Sequence, residues 1–228
     1  MWFYFLIGTY VNIGIEAIHV GQLDLMGRDD PEYRNWDDLL KRVRAYATKK
    51  ARRHFVIFDA RPVVDGRLLL DFHSFPLRPK EVAGSPGKAV LEIGYSDGLY
   101  RRSKGGVTPS GWKCEHLPYL VELDNFGGNR NAGQSSQANG PSIFTWGYDE
   151  ITWFSHQPEP YRNEWLRYAW NWLKENDRYG FLQMPGGRML TNGPMEGEKR
   201  ITWYFANTKS AAFPAGFSQE ETIKSIGR

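Results

Sequence analysis

The sequence predicts an α/β domain built as an irregular or partial (β/α)8 TIM-barrel-like fold, with long loops at the carboxyl ends of its strands. Three observations predict it. Short apolar runs end repeatedly in carboxylates: His-Phe-Val-Ile-Phe-Asp59, Leu-Leu-Leu-Asp71-Phe-His73, Tyr-Leu-Val-Glu122-Leu-Asp124-Asn125 and Phe-Thr-Trp-Gly-Tyr-Asp149-Glu150. Amphipathic helical patterns alternate with these runs, and stretches rich in Gly, Ser and Asn follow several of them. A short apolar run needs two covered faces, and an acid at its end meets a crevice rather than a core. The whole of 1–228 reads as one such domain.

Taken in order, Trp2 to Val11 is apolar without the basic lead-in of a secretory signal, and it is too short to cross a bilayer. It reads as buried structure. A chain that opens inside a packed element reads in turn as the downstream part of a longer protein. A strand is expected over Ile15–His19. Trp36, Leu39, Leu40, Val43, Ala47 and Ala51 then recur at helical spacing, with Asn35 as N-cap and Asp38 three residues on. Asp37 and Asp38 at the start and Lys49, Lys50, Arg52 and Arg53 at the end suit the helix macrodipole. That basic run reads as a solvated face rather than a phosphate site.

Strands are expected over Phe55–Asp59, Leu68–His73, Ala89–Tyr95, Leu117–Asp124, Ile143–Asp149 and Phe181–Met184. Only residues 60–67 separate the first two, too few for a parallel crossover, so Leu68–His73 is expected to be a hairpin partner or an inserted strand. A helix over Tyr161–Lys174 follows Pro158-Glu159-Pro160, with Trp165, Leu166, Ala169, Trp170 and Leu173 on one stripe. A last helix begins near Ser218, with Glu221 completing a capping-box pattern and Ile223 and Ile226 on its apolar side.

Composition narrows the function. The chain is 41% hydrophobic and 24% charged, which reads as a soluble globular protein, and its basic excess is 29 − 26 = 3. That excess implies neither a nucleic-acid partner nor a membrane surface. The one cysteine, Cys114, cannot form an internal disulfide or a thiolate metal cluster, so redox chemistry is not indicated. Loops 103–112 and 127–140 contain glycines but no phosphate-binding spacing. They suit a polar neutral ligand.

The acids carry the chemistry. Glu122 and Asp124 are two apart on a strand and share a face, with Asn125 beside them. Adjacent carboxylates repel, so one of them is expected to hold a proton near neutral pH. Asp149 and Glu150, as strand neighbours, would point apart, and Glu150 is the one placed in the site. The competing reading of each acid is a salt bridge to one of the 29 basic side chains. Aromatic residues make up 15% of the chain, and Trp112, Trp146, Tyr148 and Trp153 fall in or beside the site loops. Aromatic faces beside carboxylates and amides match sugar rings. Cleaving a glycosidic bond takes two carboxyl groups, about 5–5.5 Å apart for retention and roughly 6.5–9.5 Å for inversion.

In these strand-end glutamates the chain resembles the clan-A-like (β/α)8 glycoside hydrolases. Through Glu-Ala-Ile-His-Val-Gly-Gln (16–22), Leu-Leu-Asp-Phe-His-Ser-Phe-Pro (69–76), Leu-Pro-Tyr-Leu-Val-Glu-Leu-Asp-Asn (117–125) and Trp-Gly-Tyr-Asp-Glu-Ile-Thr-Trp-Phe (146–154) it also resembles a set of bacterial proteins of unassigned reaction. The hydrolase resemblance implies an Asn-Glu pair ending one strand and a second glutamate ending a later one. This chain departs from that pattern, and its counterparts are Glu122 with Asn125, and Glu150.

The expectation is therefore a hydrolase of oligosaccharide or polysaccharide that needs no cofactor. Glu122, Asp124 and Glu150 would be catalytic. Gln22, Asp59, Asp71, His73 and Asn125 would position the substrate, and Trp112, Trp146 and Trp153 would supply stacking surfaces. Two alternatives stand beside it. His19, His73, His116 and His156 with Asp59, Asp71, Glu122 or Asp124 could hold a divalent cation for a sugar isomerase or lyase. A non-catalytic carbohydrate-binding barrel would keep the aromatic cleft without a competent acid pair, and Arg61 is compatible with that.

Overall fold

A computed structural model describes residues 1–21, 27, 29–60, 70–74, 79–82, 84–85, 87–92, 105–125 and 148–226. The chain divides into two compact units, Met1–Pro76 with Gly98–Leu120, and Leu77–Asp97 with Val121–Arg228.

The first unit is a parallel sheet with helices. Its strands are β1 (Ala17–His19), β2 (Ile57–Ala60), β3 (Phe72–Ser74) and the start of β8 (Tyr119–Val121). β1 pairs with β2, β2 with β3 and β3 with β8, all in parallel. Helix α2 (Arg34–Lys50) makes the crossover from β1 to β2 and buries Trp36, Leu40, Val43 and Ala47. Asn35 does not cap it. A single 3-10 turn over Pro31–Tyr33 brings Asp30 to the helix start, where its carboxylate accepts from Asn35 N, Trp36 N and Asn35 Nδ2 at 2.9–3.1 Å. Asp37–Lys41 and Asp38–Arg42 form ion pairs one turn apart along the exposed side.

Helix α1 (Trp2–Asn12) is not the wholly buried element that its sequence suggests. Only Ile7 and Val11 are buried, while Trp2 and Phe5 stand 66% and 65% exposed. Apart from Gly8, Thr9 and Asn12 the helix is apolar or aromatic all round, so packed on one neighbour it must expose aromatic rings. That neighbour is α2, met by Phe3 on Trp36, Tyr4 on Tyr46 and a 2.7 Å bond from Tyr46 Oη to Asn12. A two-stranded hairpin, β6 (Gly106–Val107) and β7 (Lys113–Cys114), completes the unit where a loop was expected. Its turn needs Gly111 at φ +89°.

The β2–β3 connection corrects the expectation of a hairpin or an inserted strand. The strand starts at Phe72 rather than Leu68, and it pairs with β2 in parallel.

The second unit is mainly helical. α3 (Glu150–His156) and α4 (Glu159–Asn176) carry its core, with α5 (Glu220–Ile226) against α4. Trp153, Phe154, Tyr161, Trp165, Tyr204 and Phe217 meet ring to ring, mostly edge to face. Their polar tips strap down the short ribbon β4 (Lys80–Glu81) and β5 (Ala89–Val90): Trp165 Nε1 donates to Ala89 O at 3.0 Å, and Tyr168 Oη accepts from Leu91 N at 3.0 Å. β9 (Gly180–Leu182) lies beside the end of β8, with Gln183 N donating to Val121 O. Two further ribbons join β10 (Arg188–Met189) to β13 (Trp203–Tyr204) and β11 (Met195–Glu196) to β12 (Lys199–Arg200).

This architecture overturns the TIM-barrel expectation. The protein is mixed α/β, but among the described residues no pairing closes a barrel, and most strands sit in separate two-stranded ribbons. Of the expected strand Ile143–Asp149 only its last two residues are described, and Asp149 there starts a helix. No described helix is long and apolar enough to cross a membrane.

Candidate functional site

Three of the predicted acids lie in the second unit, in the segments that follow β8 and open α3. β8 ends at Val121, yet Glu122 and Asp124 fall on one side, as their spacing predicts, since both meet the same arginine. Arg188, at the start of β10, reaches both of them. One Nη donates to Asp124 at 3.1 Å and the other bonds Glu122, so a single guanidinium spans the pair. The repulsion inferred from the sequence is thereby offset by a cation. Asn125 N donates to Asp124 at 2.8 Å.

Asp149 is the N-cap of α3. Its side chain accepts from Thr152 N at 2.8 Å and from the Thr191 hydroxyl at 2.7 Å, and it is 1% exposed. Burial pushes its carboxyl above the ordinary aspartate range; the bonds from Thr191 and Thr152 oppose this, and the nearby Asp124 charge adds to it. The backbone joins the same place, since Ile151 N donates to Asp124 O at 3.1 Å. Thr191 also bonds Thr152, hydroxyl to hydroxyl, at 3.2 Å, and is itself half-buried. Beside them His156 bonds Asn192 O at 2.9 Å and stacks on Tyr148 at 4.6 Å.

Glu150, favoured from the sequence, is wholly buried as the first residue of α3. A helix start and not a strand end separates the two acids: Asp149 faces the Thr191 side and Glu150 enters the interior. Trp153 is a core ring, its Nε1 held by Gly87 O at 2.6 Å, and offers no open face.

The first unit holds the other assigned residues. Asp59 meets its β1 neighbour in register, His19, at 3.0 Å; the histidine is half exposed and the acid buried. Asp71 is fully buried and accepts from Arg44 at 3.0 Å, Phe58 N at 3.1 Å and Ser110 N at 2.9 Å. These bonds tie α2, β2 and the β6–β7 hairpin together. Trp112 lies in that hairpin, 40% exposed. Glu16 accepts from Arg53 N at 2.6 Å and Arg53 Nη1 at 2.8 Å, and these bonds lower its pKa. The basic run is thus held partly by an internal acid. Gln22, Arg61 and Trp146 lie outside the described residues, as does the His73 side chain. A cavity of about 970 Å³ between α1 and α2, lined by Phe3, Tyr4, Trp36, Tyr46 and Lys49, contains none of the assigned residues.

Among the described residues, no three His, Cys, Asp or Glu side chains group to hold a metal ion. His116 bonds Leu117 O, at 3.1 Å.

No family model, curated protein or solved structure matches this chain. The site is therefore argued from its own chemistry. Arg188, Asp149 and Thr191 were not assigned from the sequence. Asp149-x-x-Thr152 before an apolar run is a capping signal that marks the aspartate. Arg188, after Met-Pro-Gly-Gly, carries no such mark.

Proposed function

We propose that this chain is a carbohydrate-active hydrolase in which Asp149 holds the proton and the Glu122–Asp124 pair is the ionised partner. One observation carries the reading: neighbouring carboxyl groups sit in opposite environments. Burial favours the protonated form of Asp149, while Glu122 and Asp124 are ion-paired with Arg188, and this is the division that acid–base cleavage of a glycosidic bond needs. Thr191 connects the buried acid to the surface. When Asp149 is protonated the hydrogen bond reverses and its carboxyl donates to Thr191; as the Thr191 hydroxyl gives its proton to the glycosidic oxygen it takes that one from Asp149, and the leaving sugar departs as an alcohol. The carboxylate pair stabilises the cationic sugar and directs the water that replaces the leaving group, and the proton which that water gives up returns to Asp149 through Thr191. The sugar class rests on the aromatic content and on the Tyr148–His156 stack next to the acids in sequence.

A panel of oligosaccharides, read for new reducing ends with EDTA and with added divalent cations, tests it. The expected result is EDTA-resistant release that falls about 100-fold or more in Asp149→Asn and in Glu122→Gln. Release that survives both substitutions within a few-fold, or that needs a divalent cation, overturns it. A second reading, a carbohydrate-binding unit without turnover, is favoured by one fact: Arg188 already occupies both carboxylates. It predicts sugar affinity without release.

A further inference from the structure

Residues 205–219 form a compact loop whose ends are stitched together. Phe217 N donates to Phe205 O, Ser218 N to Asn207 O and Gln219 N to Ala206 O, each at 2.9 Å. Lys209 N donates to Ser218 Oγ at 3.0 Å, with Ser218 held at φ +65°, an uncommon conformation for a residue with a side chain. The loop borders a cavity of about 320 Å³, at the small end of ligand-binding clefts.

Arg162 of α4 lines that cavity and is only 7% exposed. Its guanidinium donates to Phe217 O at 2.8 Å and to Gln157 O, and lies over the Phe217 ring at 5.2 Å; Nε has no hydrogen-bond partner. These acceptors are neutral. No carboxylate forms an ion pair with Arg162 among the described residues, although Glu159 lies one turn away and also lines the cavity. A buried cation without an anion is costly, and burial accordingly lowers the arginine's pKa. Lys209 lines the same cavity as a second cation, held at 2.6 Å by the exposed Glu196, which a ligand could displace.

We infer that this cavity binds a small oxyanion, a carboxylate or a phosphate, using the Arg162 charge and the Lys209 ammonium. The inference is independent of the hydrolase reading. Glu196 acts as the resident competitor: it occupies Lys209 when the cavity is empty and swings into solvent when the anion enters.

Calorimetric titration of the full chain with inorganic phosphate and, separately, with succinate tests this and distinguishes the two anion classes. Saturable binding of at least one is expected. Lys209→Gln should weaken it roughly tenfold, the loss of one charge-assisted bond, and Glu196→Gln should tighten it several-fold by freeing the ammonium. Both positions are exposed, so neither substitution threatens the fold, whereas Arg162→Met requires a check of its unfolding midpoint. Absence of saturable binding by either anion at 10 mM, roughly the weakest affinity worth calling a site, overturns the inference. So does binding that both exposed substitutions leave unchanged.

Discussion

Arg188 brings one cation to two carboxylates, and removing it has a predictable cost. In Arg188→Met, Glu122 and Asp124 face each other with no counter-charge in a largely buried setting, and about 3 kcal/mol of stability should be lost at neutral pH. Urea titrations of the variant and the parent at neutral pH check this. Asp149 brings a pH dependence of its own. Its pKa is higher folded than unfolded, so the folded state favours the protonated form, and that advantage, full below the unfolded value, is lost as pH rises through the folded one. Asp149→Asn keeps one acceptor oxygen for Thr152 N, turns an amide donor towards Thr191 and removes the charge, and its stability should fall less than the parent's as pH rises from 3.5 to 7. Asp149→Ala removes the cap and should cost about 1–2 kcal/mol throughout. The strand period made the Glu122–Asp124 pairing legible in the sequence, because alternation is local. Arg188 was not legible, since its reach depends on β13 pairing with β10 and presenting Tyr204 opposite it.

At the scale of elements, amphipathic periodicity located α2 and α4 to within a few residues, while the caps were less legible. A left-handed residue pair, Glu32 and Tyr33, folds the chain back so that Asp30 reaches the start of α2. Asp30→Ala should therefore lower the denaturation free energy by about 1–2 kcal/mol, whereas Asn35→Ala, which removes one side-chain bond, should change it by about 0.5 kcal/mol or less. Ser218 likewise does not cap α5; its hydroxyl serves Lys209, and Glu220 at the helix start accepts from Lys224 and from Thr208 N. The Lys224 bond, then that from Thr208, holds the Glu220 pKa down at about 2. A depressed carboxylate contributes its stabilisation above the unfolded value of 4.5 and loses it as pH falls towards 2. Protection of the Thr208 amide, taken relative to its intrinsic exchange rate, should fall across that window, and Glu220→Gln should abolish that pH dependence.

The whole molecule was the least legible scale. Strand-like runs ending in acids are local facts, but whether strands close on themselves depends on pairings between distant segments, and those pairings stop at short ribbons among the described residues. The aromatic face of α1 also has a whole-molecule consequence. Trp2→Lys with Phe5→Lys should raise solubility while shifting the unfolding free energy by about 0.5 kcal/mol or less, because neither ring is buried; light scattering beside a urea titration checks both. The division of the chain bears on how it can be manipulated. Residues 77–97 belong with 121–228, and 98–120 belong with 1–76, so the peptide passes between units at 76/77, 97/98 and 120/121. Neither unit can be copied out as one uninterrupted stretch of gene. A single nick in the chain between 77 and 120 leaves each fragment with parts of both units, so separating them requires splicing two new junctions rather than trimming an end.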